Sequence, residues 1–339
     1  MPINIATGQV YLETLDAEIH GIVSLRWDRY YKTGMAELFS PLMGKDWTNR
    51  YLCTLTRWTE GFEFLTPLGA QELISDPNSV VDRGGRAANF GAYLEVFIDK
   101  SRLVVQRWNP DSHEVTRYCF AQSTLGVPAR LSSIEDVSGF GLDLAWAKDG
   151  TLHSVEQRSE RRALIFDYSP KRQLLSVRLT TPNHGTHLIC RYDYDATGRL
   201  AAAYNAADIP DQYFYNSNDN IDMVMAKDGG RSNFRYDDSG RCVRFSGIDN
   251  YDEKTFRYLD ATNHSEVTNS YGSITRHRFL PSGQITDTWD EVGRHSGKVY
   301  DELGRIVQLQ TGTNRTTAFE YDALEIGRAS CRERVSSEV

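Results

Sequence analysis

A chain of 339 residues exceeds one typical domain, so two regions or one long repeat array are expected. Hydrophobic residues at 40% and aromatic residues at 11% can supply a sizeable core, which excludes a disordered chain. A formal net charge of −8 argues against nucleic acid or an anionic membrane as the main partner, because both reward clustered Lys and Arg.

The opening "MPINIATGQV" has neither the basic start nor the apolar stretch of a signal peptide. No apolar run approaches the ~18 residues of a membrane-spanning helix. The first strong element is "GIVSLRWDRYY", where Val23, Leu25 and Trp27 alternate with Ser24, Arg26 and Asp28, the pattern of a one-sided strand. "SDPNSVVDRGGRAANFG", residues 75–91, is rich in turn formers and marks a boundary or long loop. "LEVFIDKSRLVVQRW" reads as two strands around Asp99–Ser101. Amphipathic helices are few.

From about Leu144 a period dominates. Tyr194, Tyr215, Tyr236, Tyr258, Phe279, Tyr300 and Tyr321 recur at steps of 21 residues, with one step of 22, and Trp146 and Tyr168 fit more loosely upstream. Two residues before each anchor stand Tyr192, Tyr213, Phe234, Phe256, His277, Lys298 and Phe319, on the anchor's face of a strand. Six residues after it stand Leu200, Ile221, Cys242, His264, Ile285 and Ile306, which open a return strand. Four residues after it, Gly198, Gly240, Gly283 and Gly304 tolerate positive φ, and Asp219 and Thr262 hold that place in weaker copies. Asp195, Asp237 and Asp301 follow their anchors, where a short carboxylate can bond turn amides. Each unit is therefore a β-hairpin, and hairpins must pair with neighbours to be stable. The repeat assigns structural roles to Tyr194, Asp195, Gly198 and Arg199; to Tyr236, Asp237, Gly240 and Arg241; to Tyr300, Asp301, Gly304 and Arg305; and to Tyr321 and Asp322. The arginines read as partners of the neighbouring Asp rather than as phosphate binders. The aromatics can be shared core or a stacking platform for sugars, and burial separates the two.

Cys53, Cys119, Cys190, Cys242 and Cys331 lie far apart, with no C-x-x-C pair, and read as buried reduced thiols. His184 and His187 in "HGTH" suggest a polar loop more than a metal pair. No catalytic triad, phosphate-cradling loop or metal cluster stands out, so catalytic, cofactor and metal residues are none. Acidic residues are plentiful, and no glycosidase pair is singled out among them.

"YDATGRL", "YDDSGRC" and "YDELGRI" resemble the YD repeats of the Rhs family. The start resembles the domain of unknown function that opens the Rhs core, through Pro2 and Asn4, Thr7 and Gly8, Trp27, Arg29 and Tyr31, and Gly44 and Trp47. The resemblance covers about residues 1–324. It implies an all-β fold: a repeat array of antiparallel hairpins forming a spiral sheet, an incomplete Rhs/YD shell, preceded by a β-rich N-terminal domain. The expected divisions are 1–78 for that domain, 79–143 for a β-rich connection, 144–324 for the repeats and 325–339 for a non-native tail. The period demands glycine and arginine after Leu324, but Glu325 and Ile326 stand there, and "IGRASCRERV" resembles the in-frame translation of a common sequencing adapter. The resemblance further implies a fragment of a polymorphic toxin: a shell wall, itself without catalysis, that encapsulates a C-terminal toxin for interbacterial competition, with type VI secretion as one route. The implied partners are the rest of the same chain, meaning missing repeats and toxin, and a secretion adaptor. The implied location is secreted or cell-surface after synthesis in a bacterial cytoplasm. An extracellular carbohydrate-binding repeat is the alternative, followed by a cell-wall glycosidase.

Overall fold

The computed structural model describes residues 3–35, 42–109, 112–121, 124–301, 305–312 and 315–319. Gly304, Tyr321, Asp322, Cys331 and the tail after Leu324 lie outside the described residues. The fold is all-β and antiparallel; among the described residues the only helical elements are three single 3₁₀ turns. The chain divides into two compact units, Leu12–Gln212 and Tyr213–Val339 together with Met1–Tyr11.

In the Leu12–Gln212 unit, β1 (Tyr11–Ile19), β2 (Leu25–Lys32) and β3 (Trp47–Asn49) form a three-stranded sheet. The one-sided pattern expected of β2 is corrected here. Trp27, Asp28, Arg29, Tyr30 and Tyr31 are all buried, so both faces of the strand are covered. Two charged residues inside such a strand must find partners, since an unpaired buried charge is strongly unfavourable.

The next eight strands are β4 (Thr54–Trp58), β5 (Gly61–Leu65), β6 (Gln71–Ser75), β7 (Ala87–Asn89), β8 (Leu94–Asp99), β9 (Arg102–Trp108), β10 (Val115–Ala121) and β11 (Ala129–Glu135). They follow one another in the sheet, and β11 returns to β4 through Ala129↔Leu55 and Arg130↔Thr54. That pairing closes an eight-stranded ring. Its interior is an apolar cluster that includes Leu55, Phe64, Ile74, Val96, Leu103, Val105, Phe120 and Leu131. The β8–β9 hairpin turns on Lys100 and Ser101, both left-handed at φ 46° and 67°, as a two-residue primed turn requires.

Glu135, at the end of β11, is buried between Arg102 of β9 and Arg158 of the turn after Leu152–Gln157. It accepts from Arg102 (2.7 and 3.2 Å), Arg158 (2.8 Å) and Ser133 (2.9 Å). Burial alone would raise its carboxyl, but these hydrogen bonds outweigh it and hold the group at about 2, against an ordinary 4.5. A depressed folded-state pKa contributes stability that is complete above the ordinary value and is lost as pH falls through the folded one. Urea midpoints measured from pH 7 to pH 2 are therefore expected to show a gap between wild type and Glu135→Gln that is widest above about pH 5 and narrows toward pH 2. A gap independent of pH would contradict this account.

β11 also pairs with Gly141–Trp146, and the hairpin array runs on from there. In the Leu12–Gln212 unit it proceeds through Leu152–Gln157, Arg162–Tyr168, Leu174–Thr181, Gly185–Tyr194 and Leu200–Asn205. In the other unit it runs from Ile221–Met225 through Arg231–Tyr236, Cys242–Ser246, Lys254–Leu259, His264–Asn269, Ile274–Phe279, Ile285–Trp289, His295–Tyr300 and Ile306–Thr311 to Arg315–Ala318. Each 21-residue period contains two turns, one after the anchor and one between copies. The second kind was not read from the sequence. In some copies it opens on Asn or Asp and closes on Gly, as at Asn269–Gly272 and Asp290–Gly293, where Gly272 and Gly293 have φ 82° and 80°.

Candidate functional site: the inter-repeat tyrosine ladder and its N-terminal dock

The repeat motif has a regular geometry. A β-bulge falls immediately before the anchor in five copies, so that Trp146 opposes Leu152, Tyr168 opposes Leu174, Tyr194 opposes Leu200, Tyr236 opposes Cys242 and Tyr300 opposes Ile306. Phe279 opposes Ile285 in the same way. A bulge adds one residue to one strand and re-aims the side chain beside it. The residue two before the anchor is the deep one: Tyr192, Tyr213, Phe234 and Phe256 are buried, whereas His277 is half-buried and Lys298 exposed. The anchors Tyr194, Tyr236 and Tyr300 are half-buried and lean on the preceding copy.

The phenols show why tyrosine suits the anchor position. Tyr168 donates to the backbone carbonyl of Leu152 (2.9 Å), Tyr194 to Leu174 (2.7 Å), Tyr236 to Ile221 (2.5 Å), Tyr258 to Cys242 (2.6 Å) and Tyr300 to Ile285 (2.9 Å). In every case the acceptor is the residue six places after the preceding anchor. Trp146 Nε1 makes the equivalent bond to Leu131 O (2.7 Å). In these copies one side chain thus ties the hairpin to the one before it, in addition to the strand ladder. Burial pushes the Tyr168, Tyr194, Tyr258 and Tyr300 phenols upward, so they stay protonated and able to donate at neutral pH.

The turn after the anchor is held by its carboxylate. Asp195 Oδ1 accepts from the amides of Thr197 (2.9 Å) and Arg199 (3.0 Å), while Oδ2 takes Arg199 Nε at 2.7 Å. Asp237 binds the Ser239 and Arg241 amides and Arg241 Nε in the same pattern, and Asp301 binds the amide and Nε of Arg305. Gly198, Gly240 and Gly283 close these turns at φ 89°, 78° and 85°, a conformation that strains residues with a Cβ. Asp219 occupies the same place at φ 64°. In the Tyr258 copy the left-handed residue is Asn263 rather than Thr262, because that hairpin lacks the bulge and pairs Tyr258 with Ser265.

The N-terminal motif residues are docking elements. In the unit that contains residues 3–11, Asn4 Oδ1 caps the amides of Ala6 and Thr7, and the Gly8 carbonyl accepts from Cys242 N at 2.9 Å. A Cβ on Gly8 would lie 2.5 Å from Arg241 Cβ, so only glycine fits against that turn. In the other unit, Leu42 O accepts from Leu174 N (2.7 Å), and Gly44 abuts the backbone of residues 198–200. Trp27, Arg29 and Tyr31 share one face of β2. Trp27 packs on Phe166 with ring centroids 4.9 Å apart, and its Nε1 donates to Tyr192 Oη at 2.5 Å. Tyr192 donates in turn to Asp16 (2.8 Å). Arg29, wholly buried, reaches Asp16 through Nε (2.5 Å) and Nη2 (2.8 Å) and Asp211 through Nη2 (3.3 Å), and it lies over the rings of Trp47 and Tyr192. On the opposite face Asp28 takes Arg50 Nε at 2.6 Å and Tyr30 Oη at 2.9 Å.

The sequence did not name Asp16, Asp211, Asp28 or Arg50. The available signal was the alternation of charge and aromatic in "RWDRYY", which places ions on both faces of an apolar strand. Cys53, Cys119, Cys190 and Cys242 are buried and free of disulfides. Burial pushes their thiols up, to about 12 for Cys190 and about 11 for Cys242, which makes them poor nucleophiles. His187 Nε2 contacts His184 O within an exposed turn. Among the described residues no group of three or more His, Cys, Asp or Glu is placed to hold a metal ion.

Tyr236→Phe removes one rung of the ladder and keeps the ring. It is expected to lower stability by about 1 kcal/mol, the net worth of one hydrogen bond plus the carbonyl left without its donor. Tyr271→Phe, at an anchor-free and exposed turn, is the control and should change nothing measurable. Equal urea midpoints for wild type and Tyr236→Phe would show that the rung is not a stabilising contact.

A bulged hairpin repeat tied by tyrosines is the structural unit of this chain. Two family models match the chain, the domain of unknown function DUF6531 over residues 1–72 and the teneurin YD-shell over residues 157–314. The probable deoxyribonuclease RhsB of Dickeya dadantii is 22% identical over 323 residues, covering 94% of this chain and 22% of that protein. Among solved structures, TcdB2-TccC3 without its hypervariable C-terminal region aligns at 8% identity over 88% of this chain and 19% of that one, with a TM-score of 0.42. TcdB2-TccC3-TEV aligns at 10% identity over 93% and 19%, with a TM-score of 0.40. The chain spans about a fifth of the length of each of these proteins. Together the two family matches and the likeness to RhsB support an Rhs/YD-repeat family protein.

Proposed function

We propose that this segment is structural wall in an Rhs-type shell that encloses a toxin carried further along the same polypeptide, for delivery against competing bacteria. The observation that carries this reading is the ladder. The anchor tyrosines are spent on bonds to the preceding hairpin rather than standing in an exposed row, which favours a wall over a sugar-stacking platform. Two further features agree with a wall. The arginines after the turn glycines are engaged by their own aspartates, and N-terminal motif residues seat on repeat turns within each unit, Gly8 against Arg241 and Gly44 against residues 198–200. In this reading the hydrolytic activity named for the Dickeya relative belongs to another part of that protein. The remaining repeats, the toxin and a secretion adaptor are the proposed partners, with type VI secretion as the proposed route and the cell exterior as the destination.

The test uses the full-length product of the locus. Limited proteolysis under native conditions is expected to spare the segment downstream of the repeats, and mild denaturant is expected to expose it at the concentration that melts the repeats. Immediate digestion of that segment in the native protein would refute encapsulation. Saturable binding of the chain to cell-wall polysaccharide, abolished by removing exposed aromatics, would favour the carbohydrate reading instead.

A further inference from the structure

The closed ring of β4–β11 has a mouth, and the mouth holds a cavity of about 690 Å³. Its place follows from strand alternation. Leu103 and Val105 of β9 point into the ring's core, so Arg107 shares their face at the strand end. Phe120 of β10 is core, and Tyr118 and Thr116 continue its face toward the same end. Tyr118 packs against Phe64 at 5.4 Å and forms the floor. Eight strands leave room inside for side chains or for one small ligand, and barrel mouths are favoured ligand sites.

The lining is two-sided. Three of the chain's large exposed apolar side chains, Ile22, Leu68 and Val137, gather at this one opening, although apolar side chains left in water are usually scattered. Against them stand donors that the fold does not use. The Tyr118 hydroxyl makes no hydrogen bond among the described residues, and the Arg107 guanidinium makes neither a hydrogen bond nor an ion pair among them. Burial pushes the Tyr118 phenol up and Cys53 adds to the rise, while the charges of Arg107 and Arg50, which line the same cavity, pull it back. Four acids line the cavity: Glu135 is engaged by Arg102 and Arg158, Asp136 by the turn amides of Ser138 and Phe140, Glu114 by Ser112, and Glu18 by the longer ion pair to Arg26 at 3.8 Å.

We propose that this barrel mouth binds an aliphatic carboxylate, its anionic head on Arg107 and the Tyr118 hydroxyl and its apolar body along Ile22, Leu68 and Val137. A free fatty acid and the C-terminus of a peptide ending in an aliphatic residue share that chemistry. The site lies apart from the tyrosine ladder and does not depend on the wall reading.

Isothermal titration of the 339-residue chain with sodium octanoate tests it. Saturable binding is expected, with octanamide, which lacks the charge, much weaker. Arg107→Gln, at an exposed position that the fold does not need, should weaken octanoate about tenfold or more, and Tyr118→Phe several-fold, with unchanged circular dichroism. A parallel arm compares an acetylated tetrapeptide ending in leucine with its C-terminal amide. Binding of the acid but not the amide identifies a peptide end as the natural source, and binding of octanoate alone identifies a fatty acid. The proposal is overturned if neither acid binds saturably, if octanamide matches octanoate, or if both variants bind like wild type.

Discussion

Replacing Arg29 with alanine is expected to cost about 3–5 kcal/mol of folding stability, the usual consequence of removing one partner from a buried ion pair. The side chain is wholly buried, and the side chains of its partners Asp16 and Asp211 are 8% and 9% exposed. Without the guanidinium, Asp16 keeps only the Tyr192 hydroxyl among the contacts described above, and Asp211 loses its cation. The loss includes the ring faces of Trp47 and Tyr192 that the guanidinium covers. Arg57→Ala is the matched control. Its ion pair to Asp82 is about a third exposed on each side and should be worth no more than about 1 kcal/mol. Urea unfolding followed by fluorescence at pH 7 reads both, and indistinguishable midpoints for the two variants would remove Arg29 from the centre of the dock.

Trp27→Ala should be comparably severe, about 3–5 kcal/mol, the range for emptying a large buried aromatic site. The indole is 1% exposed and packs on Phe166 and Tyr51. Its Nε1 also supplies the hydrogen bond that Tyr192 accepts, so truncation leaves both a cavity and a buried oxygen without its donor. Trp27→Phe separates the two effects, because it restores much of the volume but not the donor. It is expected to recover more than half of the loss. A Trp27→Phe variant as unstable as Trp27→Ala would mean that the hydrogen bond, not the packing, dominates.

These two residues show where sequence reading stops. Trp27 and Arg29 were legible as motif members of the family's opening domain, but their partners were not. Tyr192 stands 165 residues from Trp27, and Asp211 stands 182 from Arg29. Nothing local in the sequence selects those pairs from the many acids and tyrosines available. The one-sided assignment of β2 failed for the same reason. Alternation reports which residues differ along a strand, not whether a second layer covers the polar face.

The repeat behaves in the opposite way. Its period, the turn glycines, the carboxylates Asp195, Asp237 and Asp301 beside their anchors and the return strand six residues on were all legible, because each is decided within about ten residues by backbone sterics and turn hydrogen bonds. The second turn of each period was missed because its opening column changes residue type from copy to copy: Asn205, Ala226, Gly247, Asn269 and Asp290. The purpose of the tyrosine hydroxyl was out of reach, since its acceptor is a backbone carbonyl, which every residue carries and no sequence distinguishes.

The sequence by itself determined the all-β class, the hairpin unit, its period and the family. The tertiary structure alone decided three things: that β11 returns to β4 to close a ring, that the phenols bond the preceding copy, and that Gly8 and Gly44 seat on repeat turns. The division has one physical cause. Turn and strand preferences are local free energies written in neighbouring residues, whereas ring closure and docking depend on shape and charge meeting across more than a hundred residues, and only the folded chain brings those surfaces together.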